Sequence, residues 1–136
     1  MKRLFLLSFI LLSFLSAEHV RWMGEYDKAL ALAHTENKPL LVLLVKEKCP
    51  ECNRLIQDLF MNQSYISLIN KNFISVIVTY EGRPSYPIEM YYSRSFPTLF
   101  FVDSQRELFL YEPLVGEVKR ETIIKIVQNI IKRRRR

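Results

Sequence analysis

The sequence predicts a single α/β domain, a mixed central β-sheet flanked by α-helices. Three observations lead there. Two short apolar runs, the continuous LLVLLV at Leu40–Val45 and the β-branched FISVIV at residues 73–78, read as buried strands. Segments with apolar residues at helical spacing lie before, between and after them. The 136 residues leave room for one domain and not two.

Each element has a local reason. Residues 20–24, with Trp22, are an opening segment that packs an aromatic ring onto the body. Tyr26–Glu36 (YDKALALAHTE) is rich in Ala and Leu, and Ala29, Leu30 and Ala33 recur near a helical period with Trp22 or Tyr26. Asn37-Lys38-Pro39 stops that helix, because the residue before a proline is pushed out of the helical region. Leu40–Val45 follows as a central strand covered on both faces. After Lys46-Glu47-Lys48 comes Cys49-Pro50-Glu51-Cys52, and from Pro50 to about Met61 the residues Leu55, Ile56, Leu59 and Phe60 mark a helix. Ser64 is placed to cap a second helical stretch through Ile69 that ends near residues 70–72.

The β-branched run at residues 73–78 is the second buried strand. Gly82, Pro84 and Pro87 make residues 80–87 a loop, with a short helical turn expected at residues 88–92. Residues 98–102 (TLFFV) are a third strand, Asp103-Ser104-Gln105-Arg106 a turn, and residues 107–111 the returning strand of a hairpin. Gly116 precedes a last helix at residues 118–131, where Ile123, Ile124, Val127, Ile130 and Ile131 line one face. There is no internal repeat, and the basic end is the only compositionally biased segment.

The start of the chain reads as an export signal. Met1-Lys2-Arg3 leads into an apolar run over residues 4–15, broken only by Ser8 and Ser13, and then into Ser16-Ala17. A positive start, about a dozen apolar residues and a small residue at the end describe a secretory signal peptide over residues 1–17. The run is short against the roughly 20 residues of a spanning helix. Cleavage after Ala17 would leave Leu15, larger than the usual small residue, three positions back, so an uncleaved signal-anchor is the alternative. No cysteine follows Ala17, which argues against a lipoprotein anchor. The domain is then expected over residues 18–131, about 119 residues counting the tail at 132–136, enough for one hydrophobic core.

The net charge of +6 is a property of the ends. Without Lys2 and Arg3 there are 18 basic and 14 acidic residues, and five of the 18 are Lys132, Arg133, Arg134, Arg135 and Arg136. The body is near neutral and shows no basic stripe with interleaved aromatics, so no nucleic-acid partner is expected. The tail reads as a solvated helix end that complements the helix dipole, or as a weak contact with an anionic membrane surface.

Only two cysteines occur, both after the signal segment and two residues apart. Thiols are oxidised and disulfides persist outside the cytoplasm, which fits an exported chain. Cys49 falls at a helix cap and Pro50 at the first helical position, where its missing N–H costs nothing. Three residues of helix return Cys52 to the same side, within the Cα separation of a disulfide. Cys49 then faces the unpaired N–H groups and positive dipole end of the helix, which stabilise the thiolate that attacks in disulfide exchange. The expectation is Cys49 as nucleophile at the exposed end and Cys52, one turn inside, as resolving thiol. Lys46 and Lys48 would acidify the thiol further, and Glu47 and Glu51 would oppose them.

These residues resemble the thioredoxin-like superfamily, above all its exported bacterial members, over nearly the whole length after residue 17. The likeness rests on Trp22, the Ala-rich helix into Lys38-Pro39, LLVLLV and CPEC. It continues through Asn72-Phe73, Ser95-Phe96-Pro97-Thr98 and Gly116 before the last helix. It implies the thioredoxin fold and thiol–disulfide oxidoreductase activity. It also implies a cis Pro97 beside the cysteines, where the backbone of Phe96 and Pro97 would pair with an extended substrate segment. Pro50 and Glu51 would border the same site. Typical thioredoxins have tryptophan before the first cysteine, Gly-Pro between the two, and an acid six residues ahead; here Lys48, Pro50-Glu51 and Leu43 stand there.

The reading from these observations is a periplasmic or otherwise exported thiol–disulfide oxidoreductase. It needs no dissociable cofactor, because the electrons reside in the two sulfurs. Cysteine-containing proteins would be its substrates and a membrane redox protein its donor or acceptor. With no dimerisation segment evident ahead of the fold, a monomer is expected. Oxidant, reductant and isomerase share the scaffold across potentials of about −270 to −120 mV.

The alternatives are a binding or assembly module with a static disulfide, and a metal carrier. Structural zinc asks for four ligands, whereas two cysteines with distant His19 and His34 are present. Two thiolates could hold copper(I), though no methionine or histidine adjoins the motif. His34 reads as a surface or packing residue. Of the aromatics Tyr91, Tyr92, Phe96, Phe100 and Phe101, most read as core, with Phe96 and Tyr91 the candidates to border a substrate groove.

Overall fold

The computed structural model describes residues 18–60, 63–80 and 85–136. The expected signal peptide at residues 1–17 and the centre of the 80–87 loop lie outside the described residues. Elements follow in the order β1 (Trp22–Met23), α1 (Tyr26–Glu36), β2 (Leu40–Val45), α2 (Pro50–Phe60), α3 (Gln63–Asn72), β3 (Ile74–Thr79), β4 (Thr98–Asp103), β5 (Leu108–Phe109), β6 (Leu114–Val115) and α4 (Arg120–Arg134).

The sheet order is β1-β3-β2-β4-β5, with β6 also on β4. β1, β3 and β2 run parallel; β4 is antiparallel to β2, and β5 and β6 are antiparallel to β4. β2 therefore sits in the middle, and its residues 40–44 are fully buried. This is why LLVLLV carries no polar alternation. Its side chains still divide by parity, as successive residues point to opposite faces. Leu41 and Leu43 join Leu99, Phe101 and the apolar sides of α2, α3 and α4. Leu40, Val42 and Leu44 join Val76, Phe100, Val102 and the Tyr26–Ala29–Ala33 face of α1.

α1 ends at Asn37, which adopts the left-handed conformation at φ 51°. Asparagine tolerates it, and the Lys38 N–H closes the helix on the Ala33 carbonyl at 3.0 Å. Pro39 then aims the chain into β2, its carbonyl accepting the Ile74 N–H at 3.0 Å.

Several boundaries differ from expectation. The opening segment includes a two-residue parallel strand, β1, on β3. The short helical turn expected at residues 88–92 is present as a single turn, with the Met90 and Tyr91 N–H groups both on the Pro87 carbonyl. The returning strand is broken: β5 pairs at Val102↔Phe109 and Asp103↔Leu108, and β6 at Thr98↔Val115 and Leu99↔Leu114. Pro113 lies in the interruption, and proline cannot donate to a ladder. Helix α4 starts at Arg120 behind an extended Lys119 and runs on through Arg134. The basic residues 132–134 thus continue the helix, where cations face the negative end of its dipole. Among the described residues no helix is long and apolar enough to cross a membrane.

Candidate functional site

Parallel β2 and β3 beside antiparallel β4 bring three chain segments to one end of the sheet. The registers Val45↔Thr79 and Leu44↔Thr98 set the last residues of β2 and β3 level with the first of β4. That end carries residues 46–52, Tyr80 and Phe96-Pro97. The Tyr80 N–H binds the Val45 carbonyl at 2.8 Å, prolonging the strand pairing toward the site.

Cys49 and Cys52 are joined in a disulfide with their Cα atoms 5.3 Å apart. The junction into α2 explains the geometry. Lys48 turns the chain through a left-handed conformation at φ 52°. The Cys49 carbonyl then accepts the Asn53 N–H at 3.2 Å, and Cys49 Sγ accepts the Cys52 N–H at 3.1 Å. Cys49 thus caps α2 through both its carbonyl and its sulfur, as a Ser or Asp would. Pro50 occupies the first helical position, as expected, and is exposed. In the reduced pair the Cys52 N–H would favour a Cys49 thiolate.

The sulfurs are covered. Cys49 is 3% exposed and Cys52 2%, so the expected contrast between an exposed and an inner cysteine is absent. Beside the Cys49 sulfur lies a carboxylate: Glu51 Oε2 is 3.7 Å from Cys49 Sγ. Glu51 Oε1 is 3.8 Å from Arg54 Nη2. Arg54 reaches across to Glu117, its Nε donating to Glu117 Oε1 at 2.8 Å. Glu117 holds the Arg54 guanidinium above its ordinary range, first by the hydrogen bond and then by charge.

On the facing side, the Phe96–Pro97 peptide bond is cis. The Pro97 carbonyl accepts the Gly116 N–H at 2.8 Å, with Gly116 at φ 77°. Proline has no N–H, so the main chain of Pro97 can meet a partner only through the remaining lone pair of its carbonyl oxygen. Phe96 takes part in none of the turn and loop main-chain hydrogen bonds among the described residues. Its ring is half-buried, 5.2 Å from that of Tyr80, with Lys46 Nζ 5.5 Å above it. The Thr98 hydroxyl lies 2.7 Å from both the Ser95 carbonyl and the Ser93 hydroxyl, which shapes the loop ahead of Pro97.

Cys49, Pro50, Glu51, Cys52, Phe96 and Pro97 therefore gather at one end of the sheet. Tyr91 does not join them. It is 1% exposed, its hydroxyl 2.8 Å from that of Tyr26 in the core under the other face. Leu43 is buried in the cluster with Leu55 and Leu99, so the strand position six residues before Cys49 is apolar. Sequence reasoning missed Arg54 and Glu117. The Glu51/Arg54 spacing is legible on a helix, but the 63-residue separation of Arg54 from Glu117 leaves no local trace. Among the described residues no group of three or more His, Cys, Asp or Glu is placed to hold a metal ion.

Comparison with known proteins agrees with this geometry. The chain is 34% identical over 65 residues to spermatogenesis-associated protein 20 of Rattus norvegicus. That stretch is 48% of this chain and 8% of the rat protein, so the chain spans a small part of that relative. A thioredoxin from Thermus thermophilus superposes with a TM-score of 0.69 at 21% identity, covering 82% of this chain and 87% of that one. A candidate disulphide-isomerase from Bacteroides thetaiotaomicron gives 0.70 at 24% identity, covering 82% and 93%. These likenesses show the thioredoxin fold. Residues 21–104, from β1 through β4 and the whole CPEC junction, match the family described as thioredoxin-like. By that match over more than half its length, the chain belongs to the thioredoxin-like family.

Proposed function

We propose that the protein is an exported thiol–disulfide oxidoreductase acting on cysteine-containing proteins through Cys49 and Cys52. One observation carries the reading: the disulfide sits at the strand–helix junction with Cys49 Sγ capping the α2 N-terminus. A static crosslink needs no such donor aimed at its sulfur; a sulfur that must leave and return as thiolate does.

In the reducing direction, the Cys49 thiolate attacks one sulfur of a substrate disulfide. That S–S bond breaks, the other substrate sulfur leaves as thiolate and takes a proton, and a mixed disulfide forms. Cys52 then gives up its proton and attacks Cys49 Sγ, expelling the second substrate thiol. The substrate gains two electrons and two protons and the pair is oxidised. Run backwards, the same steps oxidise a substrate dithiol. An extended substrate segment would pair with the backbone of Phe96 and Pro97, whose loop is held by the Gly116 N–H on the Pro97 carbonyl. Pro50 and Glu51 would flank that segment.

Export follows from residues 1–17, and a membrane redox protein would restore the pair. The basic end of α4 adds a weak contact with an anionic membrane surface. Arg134 donates to the Asn37 carbonyl at 2.8 Å, and a small cavity joins Arg134 and Arg135 to Pro39 and Asn72. The tail therefore lies at the β2 starting end, opposite the cysteines, and such a contact leaves the disulfide facing away.

The burial of both sulfurs favours a second reading, a binding module with a structural disulfide. Redox equilibration against glutathione, read by thiol trapping, separates the two. A potential near about −120 mV identifies a disulfide donor, and one near about −250 mV or below a reductase. A pair that neither reduces nor exchanges leaves the module. Cys49→Ser should abolish exchange and keep the fold; a variant that chiefly loses stability would favour the module.

A further inference from the structure

We infer that Arg54 is a positioning residue for the Cys49 thiol, dividing its charge between Glu51, beside the sulfur, and Glu117, on the turn that holds Pro97. This rests on the reading of Cys49 as the attacking thiol. The contacts cross the site in an unbroken line. Cys49 Sγ meets Glu51 at 3.7 Å, and Glu51 meets Arg54 at 3.8 Å. Arg54 donates through Nε and Nη2 to one Glu117 oxygen. Glu117 follows Gly116, whose N–H binds the Pro97 carbonyl at 2.8 Å.

In the disulfide, Cys49 has no proton to donate, so its contact with Glu51 carries no hydrogen bond. Reduction changes this. A neutral Cys49 thiol can donate to Glu51, whereas a thiolate is repelled by it, so Glu51 favours the protonated, unreactive form. Arg54 is the cation placed to offset Glu51, yet both of the donors it extends to Glu117 are closer than its approach to Glu51. Glu117 thereby withholds part of the Arg54 charge from the sulfur.

The other charges in reach are Asp58, one α2 turn on, and Lys119, which lines the same cavity as Arg54 and Glu117. Lys46, Glu47 and Lys48 lie on the cysteine's own connection. All three members of the line are substantially exposed, so the effect acts on the protonation of Cys49 more than on stability.

The arrangement has a sign pattern that packing lacks. Removing either carboxylate leaves Cys49 easier to deprotonate, and removing the arginine leaves it harder. The test uses the full chain with Cys52→Ser, so that Cys49 is its one thiol, and measures alkylation by iodoacetamide against pH. At pH values below the titration midpoint, Glu51→Gln and Glu117→Gln are each expected to react about threefold faster, and Arg54→Gln about threefold slower. Arg54→Lys keeps the charge and should stay near the parent profile. If Arg54→Gln does not fold, the two glutamine-for-glutamate variants decide, since a role in packing alone gives no acceleration. Unchanged profiles, or one direction for all three, overturn the inference. No substrate is needed, so an inert disulfide in the glutathione equilibrium would refute the enzyme reading and leave these rates to judge Arg54 separately.

Discussion

The hydroxyls of Tyr26 and Tyr91 lie 2.8 Å apart inside the α1 face of the core, joining helix α1 to the loop before β4. Their rings meet edge to face at 5.3 Å, and Glu107 Oε1 is 3.4 Å from the Tyr26 hydroxyl. Burial, with the nearby Glu107 charge, holds both phenols above their ordinary range; the mutual hydrogen bond raises Tyr91 and lowers Tyr26. The unfolded chain therefore loses these protons first as pH rises. The stability they contribute is complete below about pH 10 and is lost progressively above it. Tyr91→Phe should lower stability by about 1–2 kcal/mol at neutral pH, and should weaken the alkaline decline. Denaturant titrations at pH 7 and 10.5 measure both; an unaltered alkaline slope would refute the assignment.

Phe101 and Phe109 look alike in sequence and differ in consequence. Phe101 is fully buried, its ring edge-on to Phe73 at 6.2 Å, whereas Phe109 is 43% exposed on the sheet edge. Phe101→Ala should cost about 3–5 kcal/mol, a large part of the stability of a domain this size. Phe109→Ala should cost about 1 kcal/mol or less. Urea midpoints at constant slope report the contrast.

Gly116 is glycine for a conformational reason. Its φ of 77° suits no ordinary side chain, while an added Cβ would meet nothing within 4 Å. Gly116→Ala should therefore cost only the left-handed penalty, about 1 kcal/mol. It also shifts the N–H that holds the Pro97 carbonyl, so exchange with a protein substrate should slow more than exchange with glutathione. Equal slowing of the two would separate Gly116 from the substrate loop.

The basic tail gives a salt signature. Vesicles containing about one-third anionic lipid should bind the full chain better than neutral vesicles, and the difference should vanish near 0.5 M salt. Neutralising Lys132, Arg133, Arg134, Arg135 and Arg136 together should reduce the anionic preference by more than about tenfold. A preference unchanged by those substitutions would dismiss the membrane contact.

Much of the fold was legible because its signals are local. LLVLLV lacks polar alternation, as a doubly covered strand does, and α1 covers Tyr26–Glu36, the range its periodicity and Pro39 mark. What went astray depends on partners distant in sequence. β1 is two residues long and exists because β3 offers it a parallel edge. The break between β5 and β6 is set by which residues can still reach β4. Tyr91 reads as a core aromatic or as one bordering a substrate groove, and Tyr26, 65 residues away, decides for the core by meeting its hydroxyl.

By itself the sequence determined the α/β class, the strand–helix junction at CPEC and the identity of the two sulfurs. Each depends on residues within a turn or two of one another, where propensity, proline geometry and capping act. Tertiary structure alone decided that Glu51 stands against Cys49, that Arg54 is shared with Glu117, and that Gly116 occupies the Pro97 carbonyl. The last two join segments brought level by an antiparallel strand and a returning helix. The first depends on a side-chain orientation that spacing does not specify. Charge at the sulfur follows from distances of 3–4 Å, and only the packed sheet and helices set those.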